Sequence, residues 1–331
     1  MKFSVEDNVN LSMSNTLRLP VRAEYYCEAY STEHVAEALT FVERQGLPLL
    51  VLGDASNVVL PPVLKGLTLR VRMEGIEQHG DVIKVGAGVN WNNLVMLLCE
   101  DEWSGLENLS GIPGSVGAAP IQNIGAYGVQ IEDCIVSVSV YDRHDGCACV
   151  MSREDCRFGY RDSIFKGEYR DRMVVTNVSL HLSKQFTPVT SYRDLQAANV
   201  QTPLEMARLV RSIRSRKLPD PVNAPNVGSF FKNPILDESA YVDFRSAHPT
   251  APDGVRTDEG VKIHAAWLIE RCGLKSMRVG DAMVSEQHAL VIVNTGAATQ
   301  SDVDELATRV REAVSDRFNL SLTIEPTVLP L

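Results

Sequence analysis

Apolar positions recur along the chain with two different periods, and the changes between them mark its elements. Between Glu33 and Gln45, Val35, Leu39 and Val42 share a helical face. Thr32 is placed to cap the free N–H groups of this helix, and Gly46 with Pro48 stops it. The unbroken apolar run Leu49 to Leu52 reads as a buried strand, ending abruptly in the turn formers Gly53-Asp54-Ala55-Ser56-Asn57. Val82 to Val85 is a second short strand, followed by Gly86-Ala87-Gly88 and a helix from Trp91 to Glu100. Ser104 to Gly128 follows neither period. Its six glycines and two prolines prevent a long regular element but suit a backbone that wraps closely around a ligand.

Strict alternation returns at Val136 to Val140, Asp145-Gly146 is a hairpin turn signal, and Cys147 to Met151 comes back as the partner strand. After a strand at Met173 to Leu182, Thr202-Pro203-Leu204-Glu205 supplies an N-cap, a first-turn proline and a capping-box glutamate for a helix reaching Arg216. Pro219-Asp220-Pro221 then marks a domain boundary. Beyond it the pattern predicts a helix over Ala265 to Cys272 ended by Gly273, and a strand over Ala289 to Val293. A long helix over Asp302 to Phe318 and a final strand over Leu320 to Val328 complete the chain. No repeat period emerges, which excludes solenoids and propellers.

At 331 residues, with 44% hydrophobic and 22% charged positions, the chain is an ordinary globular sequence long enough for two or three domains. A net charge of −10 argues against nucleic acid or anionic membrane as a partner. The longest apolar runs fall far short of the ~20 residues a bilayer span needs. The start, Met1-Lys2-Phe3-Ser4-Val5-Glu6-Asp7, has no apolar signal core. Seven cysteines form neither a disulfide framework nor a zinc spacing, and Cys147-Ala148-Cys149 reads as a reduced pair on a strand. The expectation is a cytoplasmic monomer without metal, acting on a small molecule.

Close approach to a pyrophosphate needs glycines and short polar side chains, and two segments offer them. They are Gly53-Asp54-Ala55-Ser56-Asn57 and Gly111-Ile112-Pro113-Gly114-Ser115-Val116-Gly117. Neither matches the dinucleotide GxGxxG or the phosphate-binding P-loop, and each alone reads as readily as an ordinary turn. The second continues as Ala118-Ala119-Pro120-Ile121-Gln122-Asn123-Ile124-Gly125-Ala126-Tyr127-Gly128. Together with Phe158-Gly159-Tyr160-Arg161-Asp162-Ser163, Asn226-Val227-Gly228-Ser229-Phe230-Phe231-Lys232-Asn233-Pro234 and Ile324-Glu325-Pro326, this run resembles the UDP-N-acetylenolpyruvoylglucosamine reductase family. The likeness is to the form with a tyrosine-bearing lid loop, and it runs in order over nearly the whole chain.

The resemblance implies an α+β enzyme of peptidoglycan synthesis with three domains. Residues 1–70, joined by 320–331, and 71–217 would form two FAD-binding subdomains of the vanillyl-alcohol oxidase type, and 218–319 a substrate domain. It implies FAD and NADPH as cofactors and reduction of an enolpyruvyl UDP-sugar to UDP-N-acetylmuramate. Hydride delivery from the flavin leaves negative charge beside a carboxylate, so cationic and acidic stabilisers are required. Arg161 is the expected cation, Ser229 the expected proton donor, and Glu325 an acid whose pKa a neighbouring carboxylate would raise. FAD contacts are expected at Gly53, Asp54, Ala55, Ser56, Asn57, Gly111, Ile112, Pro113, Gly114, Ser115, Gly117 and Gly125. Substrate contacts are expected at Tyr127, Tyr192, Lys217, Asn233 and Gln287. Three positions depart from the family pattern: Ala55 for glycine, Arg193 for a small residue, and His264 for serine.

Other readings of the same residues are an oxidase of the same FAD fold, an acyl-serine site at Ser229-Phe230-Phe231-Lys232, and a nucleotide-sugar binding protein without turnover. The second lacks an accompanying K-T-G, and the third must explain the presence of Arg161, Ser229 and Glu325 together.

Overall fold

A computed structural model describes residues 2–330, which divide into two compact units. The first comprises the described parts of Met1–Leu11 together with Arg22–Ala55 and Val63–Arg216. It opens with β1 (Glu6–Asn10) and β2 (Arg22–Ala29), followed by α1 (Thr32–Gln45) and β3 (Leu49–Leu52). The two-residue β4 (Val58–Val59) belongs to the second unit, and β5 (Val63–Val71) returns to the first. The sheet order is β1-β2-β5-β3. Both β2 and β3 run parallel to β5, and β1 is antiparallel to β2.

Helix α1 is capped one residue earlier than its sequence suggests. The Ser31 side chain, on extended backbone, accepts from the His34 N–H, while Thr32 is already helical. Gly46 ends the helix at φ 64°, the left-handed cap that glycine adopts without a Cβ penalty. Val35, Ala38 and Val42 form its buried stripe.

A second, antiparallel sheet takes the order β11-β10-β12-β7-β6. It is built from β6 (Ile76–His79), β7 (Val82–Gly86), β10 (Ile135–Asp142), β11 (Cys147–Ser152) and β12 (Met173–His181). The hairpin β10–β11 turns at Gly146, φ 65°. Cys147 and Cys149 are exposed, free thiols on its edge strand. The short hairpin β8 (Gly125–Ala126) and β9 (Val129–Gln130) stands apart. Helix α2 (Trp91–Glu100) buries Trp91, whose indole N–H donates to the Leu109 carbonyl at 3.0 Å. One contiguous apolar cluster, from Cys27 through Val85, Trp91 and Val138 to Ala207, forms the core of this unit.

Helix α3 (Pro203–Lys217) begins with Pro203 in its first turn, and Thr202 Oγ1 accepts from the Glu205 N–H. The Glu205 carboxylate reaches past Thr202 to the Gln201 N–H, closing the cap one residue upstream. Met206, Val210 and Ile213 pack with Leu195 in a satellite cluster that also receives Tyr127.

The second unit comprises Ser12–Val21, Ser56–Pro62 and the described part of Lys217–Leu331. Its main sheet, β13-β19-β18-β17, uses β13 (Asn226–Ser229), β17 (Arg278–Val279), β18 (Ala282–Val284) and β19 (Val291–Asn294). A smaller sheet, β14-β16-β15, uses β14 (Ile235–Leu236), β15 (Val255–Thr257) and β16 (Gly260–Lys262). The helices are α4 (Glu238–Ala247), α5 (Ala265–Arg271) and α6 (Gln300–Phe318). Helix α6 starts before Asp302 because Thr299 and Asp302 form a reciprocal capping box.

The expected strand over Leu320 to Val328 is not continuous. Only β20 (Thr327–Val328) pairs, parallel to β4, and Ile324 makes a single bridge to Phe231. Pro326, which has no N–H, interrupts the ladder between them. No described helix is long and apolar enough to cross a membrane.

Candidate functional site

In the first unit, the turn after β3 and the glycine-rich segment meet. A Cβ built on Gly53 would collide with Ser115 Oγ, and one on Gly117 would lie 2.6 Å from Ala87 Cβ. Gly53 therefore lets the turn after β3 touch the glycine-rich segment, and Gly117 lets that segment touch the chain just after β7. Gly117 is pinned by its N–H donating to the Ala87 carbonyl at 2.8 Å, and Val116 by its N–H to Val89 at 2.9 Å. The Asp54 carboxylate accepts from Arg70 at 3.2 Å and from Arg72 at 3.5 Å. Gly111 and Gly114 both have positive φ, at 74° and 121°, and Trp91 N–H fixes the Gly114 carbonyl at 2.9 Å. Ile112 and Pro113 connect them.

Gly125 seats Arg161. Its carbonyl accepts from Arg161 Nη2 at 2.5 Å, and a Cβ at Gly125 would stand 2.8 Å from Nη1. Arg161 itself sits in a tight turn in which Gly159 and Asp162 exchange both backbone hydrogen bonds, 3.1 and 3.2 Å. Its φ of 55° is unusual for a residue with a long side chain, and strain of this kind is tolerated where it aims a functional group. The turn is tied to the glycine-rich segment by Asn123, buried and donating to Gly159 and Glu132, and by Ser163 Oγ donating to Ile121 at 2.6 Å.

Tyr127, next along that segment, stacks edge-on against Tyr192 with ring centroids 5.1 Å apart. Burial pushes the Tyr127 phenol up to about 12, so at neutral pH it is a hydrogen-bond donor. Asn108 Nδ2 holds the Tyr127 carbonyl at 2.8 Å and the Val189 carbonyl at 2.9 Å. Tyr192 remains substantially exposed, as a residue on a closing loop would be.

In the second unit, Ser229 ends β13 directly after Gly228, which takes φ 77°. The buried Asn226 amide shapes this bend, accepting from the Gly228 N–H and donating to the Pro219 and Ala224 carbonyls. Phe230 is held on both sides: its N–H donates to Leu290 at 2.7 Å and its carbonyl accepts from Glu325 at 2.9 Å. Glu325 is thus bonded through its backbone to the residue that follows Ser229. Glu325 lies in the irregular segment before β20, not within a strand.

Asn233 Oδ1 accepts from the Ala265 N–H at 3.0 Å at the start of α5. Lys217 is exposed at the end of α3 and Gln287 in the loop before β19, its N–H donating to Ser285 Oγ. Ser56 and Asn57 also fall in this unit, where the Asn57 carbonyl accepts from the Thr327 N–H.

Comparison with known proteins finds two family matches along the chain. A model of an FAD binding domain matches residues 23–151, and a model of the UDP-N-acetylenolpyruvoylglucosamine reductase C-terminal domain matches 220–329. The reductase of Pseudomonas fluorescens strain Pf0-1 is 41% identical over 98% of this chain and 99% of its own length. The chain belongs to the UDP-N-acetylenolpyruvoylglucosamine reductase family. That of Escherichia coli K12 is 40% identical over 97% of this chain and 95% of its own. The crystal structure of the Thermus caldophilus reductase superposes with a TM-score of 0.72 at 29% identity, covering 99% of this chain and all of that one. The fold is α+β, an FAD-binding domain with the reductase C-terminal domain, in an FAD-binding oxidoreductase.

The residues present fit a flavin dinucleotide. The Asp54 and Ala55 N–H groups donate to no protein acceptor among the described residues, and donors of this kind suit a pyrophosphate. Ala55, one of the departures from the family pattern, takes φ 48° and is buried. A Cβ in the left-handed region costs about 1 kcal/mol, which accounts for glycine being usual there. Ala55→Gly is therefore expected to stabilise the folded protein by about that amount, read as a higher midpoint in urea at unchanged slope; a lower midpoint would contradict it.

The other departures sit at the periphery. Arg193 begins an exposed turn beside Tyr192, and His264 precedes α5 with Nε2 3.2 Å from the Asp253 carbonyl. Two contributors went unassigned from sequence, Asn123 and Asn108. Their signal is visible only in three dimensions, since each is one polar residue whose amide joins segments distant in the chain.

Proposed function

We propose that this protein uses NADPH and FAD to reduce UDP-N-acetylglucosamine enolpyruvate to UDP-N-acetylmuramate, serving cytoplasmic assembly of peptidoglycan precursors. Its functional parts are residues 1–70 with 320–331, 71–217 and 218–319. The Gly53–Asn57 turn and the Gly111–Gly117 segment, with Gly125, would hold FAD. Bound there, it supplies a ring that accepts hydride from NADPH and delivers it to the enolpyruvyl methylene.

The chain's own residues handle the charge and the proton. Arg161 is fixed by its own turn and by Gly125, and a guanidinium in that state pairs with the substrate carboxylate bidentately without reorganising. Ser229 gives its hydroxyl proton to the carbon next to that carboxylate, a transfer that requires a strongly basic carbon as acceptor. Glu325 donates a hydrogen bond to the developing enolate. Lys217, Asn233 and Gln287 bind the UDP portion, and Tyr127 with Tyr192 covers it.

The observation that supports this reading is the backbone bond from the Glu325 N–H to the Phe230 carbonyl, which ties the segment carrying Glu325 to the residue that follows Ser229. The test is anaerobic stopped-flow absorbance of the purified protein. NADPH is expected to bleach the flavin, and the enolpyruvyl UDP-sugar, added second, to restore its colour without oxygen. A protein that bleaches but is not reoxidised by this sugar would act on another acceptor.

A further inference from the structure

The turn proposed to hold the FAD pyrophosphate carries a carboxylate of its own, Asp54, and like charges at one site repel. The fold sets two guanidiniums against it. Asp54 Oδ1 accepts from Arg70 Nη2 at 3.2 Å and from Arg72 Nη1 at 3.5 Å, and among the described residues its side chain has no other partner.

Both cations are fixed by the central strand of their sheet. Glu28 of β2 and Leu52 of β3 stand opposite Arg70 on either side of β5. Arg72 follows directly, its N–H tied to the Ala29 carbonyl at 2.8 Å. By strand alternation Arg70 points away from Leu69 and Val71, which enter the core. Arg70 Nε is covered and makes no bond among the described residues, so the guanidinium meets Asp54 although one of its donors is left unmatched. With side-chain exposures of 14% for Arg70 and 24% for Asp54, the pair is only weakly screened by salt. Arg72 is shared with Glu28 at 3.3 Å, and that second carboxylate has further donors in the hydroxyls of Tyr26, at 2.8 Å, and Tyr30.

We propose that Arg70 and Arg72 are positioning residues for FAD, which cancel the charge of Asp54 so that its turn accepts a diphosphate. Asp54 in return fastens the turn to β5. The inference rests on the proposed placement of FAD at Gly53–Asn57, and it differs from a mechanical brace in one respect. A brace needs the ion pair itself, whereas charge cancellation needs only the local sum of charges.

The test is the affinity of the full-length protein for FAD, after removal of bound flavin, read from quenching of flavin fluorescence on rebinding. Arg70→Met takes one positive charge from beside two phosphates and should weaken FAD binding at least about tenfold. Asp54→Asn keeps an acceptor for Arg70 and removes the repelling charge, so it should bind FAD at least about threefold more tightly than wild type. Combining the two restores the charge sum without restoring the ion pair. The double variant should therefore return to within about threefold of wild type.

Three results would overturn the proposal: Arg70→Met within about twofold of wild type, Asp54→Asn weaker than wild type, or a double variant as weak as Arg70→Met. The last would leave Arg70 as a brace alone. If Arg70→Met does not fold, Arg72→Met, at a position 33% exposed, decides by the same comparison with and without Asp54→Asn. Wild-type protein that fails to rebind FAD would instead refute the proposed function, so the two failures are distinct.

Discussion

Ser229→Ala is expected to slow reoxidation of the reduced flavin by the enolpyruvyl UDP-sugar by about 10²- to 10⁴-fold, the usual contribution of a positioned proton donor. Flavin reduction by NADPH should change little, because no carbon is protonated in that half-reaction. The fold gives reason to expect so clean a separation. Phe230 is anchored to Leu290 and Glu325 through its own backbone, and the bend before Ser229 is held by Asn226 and Gly228. Removing one hydroxyl from a half-buried position disturbs none of these bonds. Stopped-flow traces of each half-reaction check the prediction, with thermal unfolding as control. Equal slowing in both halves would show that the substitution damages the flavin environment and that Ser229 is not the donor.

Much of the framework could be read from the chain because it depends on local rules. The α1 stripe, the Leu49–Leu52 strand, the β10–β11 hairpin and the Pro203 helix start each follow from periodicity or from capping within a few residues. Errors of the same local kind moved the α1 cap from Thr32 to Ser31, since adjacent Ser and Thr are nearly equivalent as caps, and α6 two residues upstream, where Thr299 and Asp302 form a capping box.

What was not legible depends on partners distant in sequence. Strand β5 carries Lys65 and Gly66 within an otherwise apolar run, and it is a strand because β2 and β3 flank it. Glu325 looks like a strand residue beside Ile324, yet it lies outside β20, its N–H bonded to the Phe230 carbonyl. For the site, composition and motif named the residue types, while the seating of Arg161 by Gly125 and of Asn233 by Ala265 required coordinates. Gly125 is the plainest case. Its motif suggested a cofactor contact, and the fold shows in addition that a Cβ there would displace the Arg161 guanidinium.

That observation leads to the second large effect. Arg161→Gln should lower the rate of sugar reduction by about 10²- to 10³-fold, the scale for losing one preorganised charge stabiliser, again with flavin reduction by NADPH largely spared. Gly125→Ala keeps every proposed chemical group but adds a Cβ that would lie 2.8 Å from Arg161 Nη1 and 3.1 Å from Gln130 Cγ and the Val129 carbonyl. Backbone on one side cannot yield easily, so the guanidinium has to move, and a loss of at least about tenfold is expected. The double variant separates seating from any independent role of Gly125. If the glycine acts through Arg161, adding Gly125→Ala to Arg161→Gln should cost little further, because the group it displaces is already gone. Rate losses that simply multiply would mean that Gly125 serves the cofactor or the loop directly and that Arg161 finds its place without it.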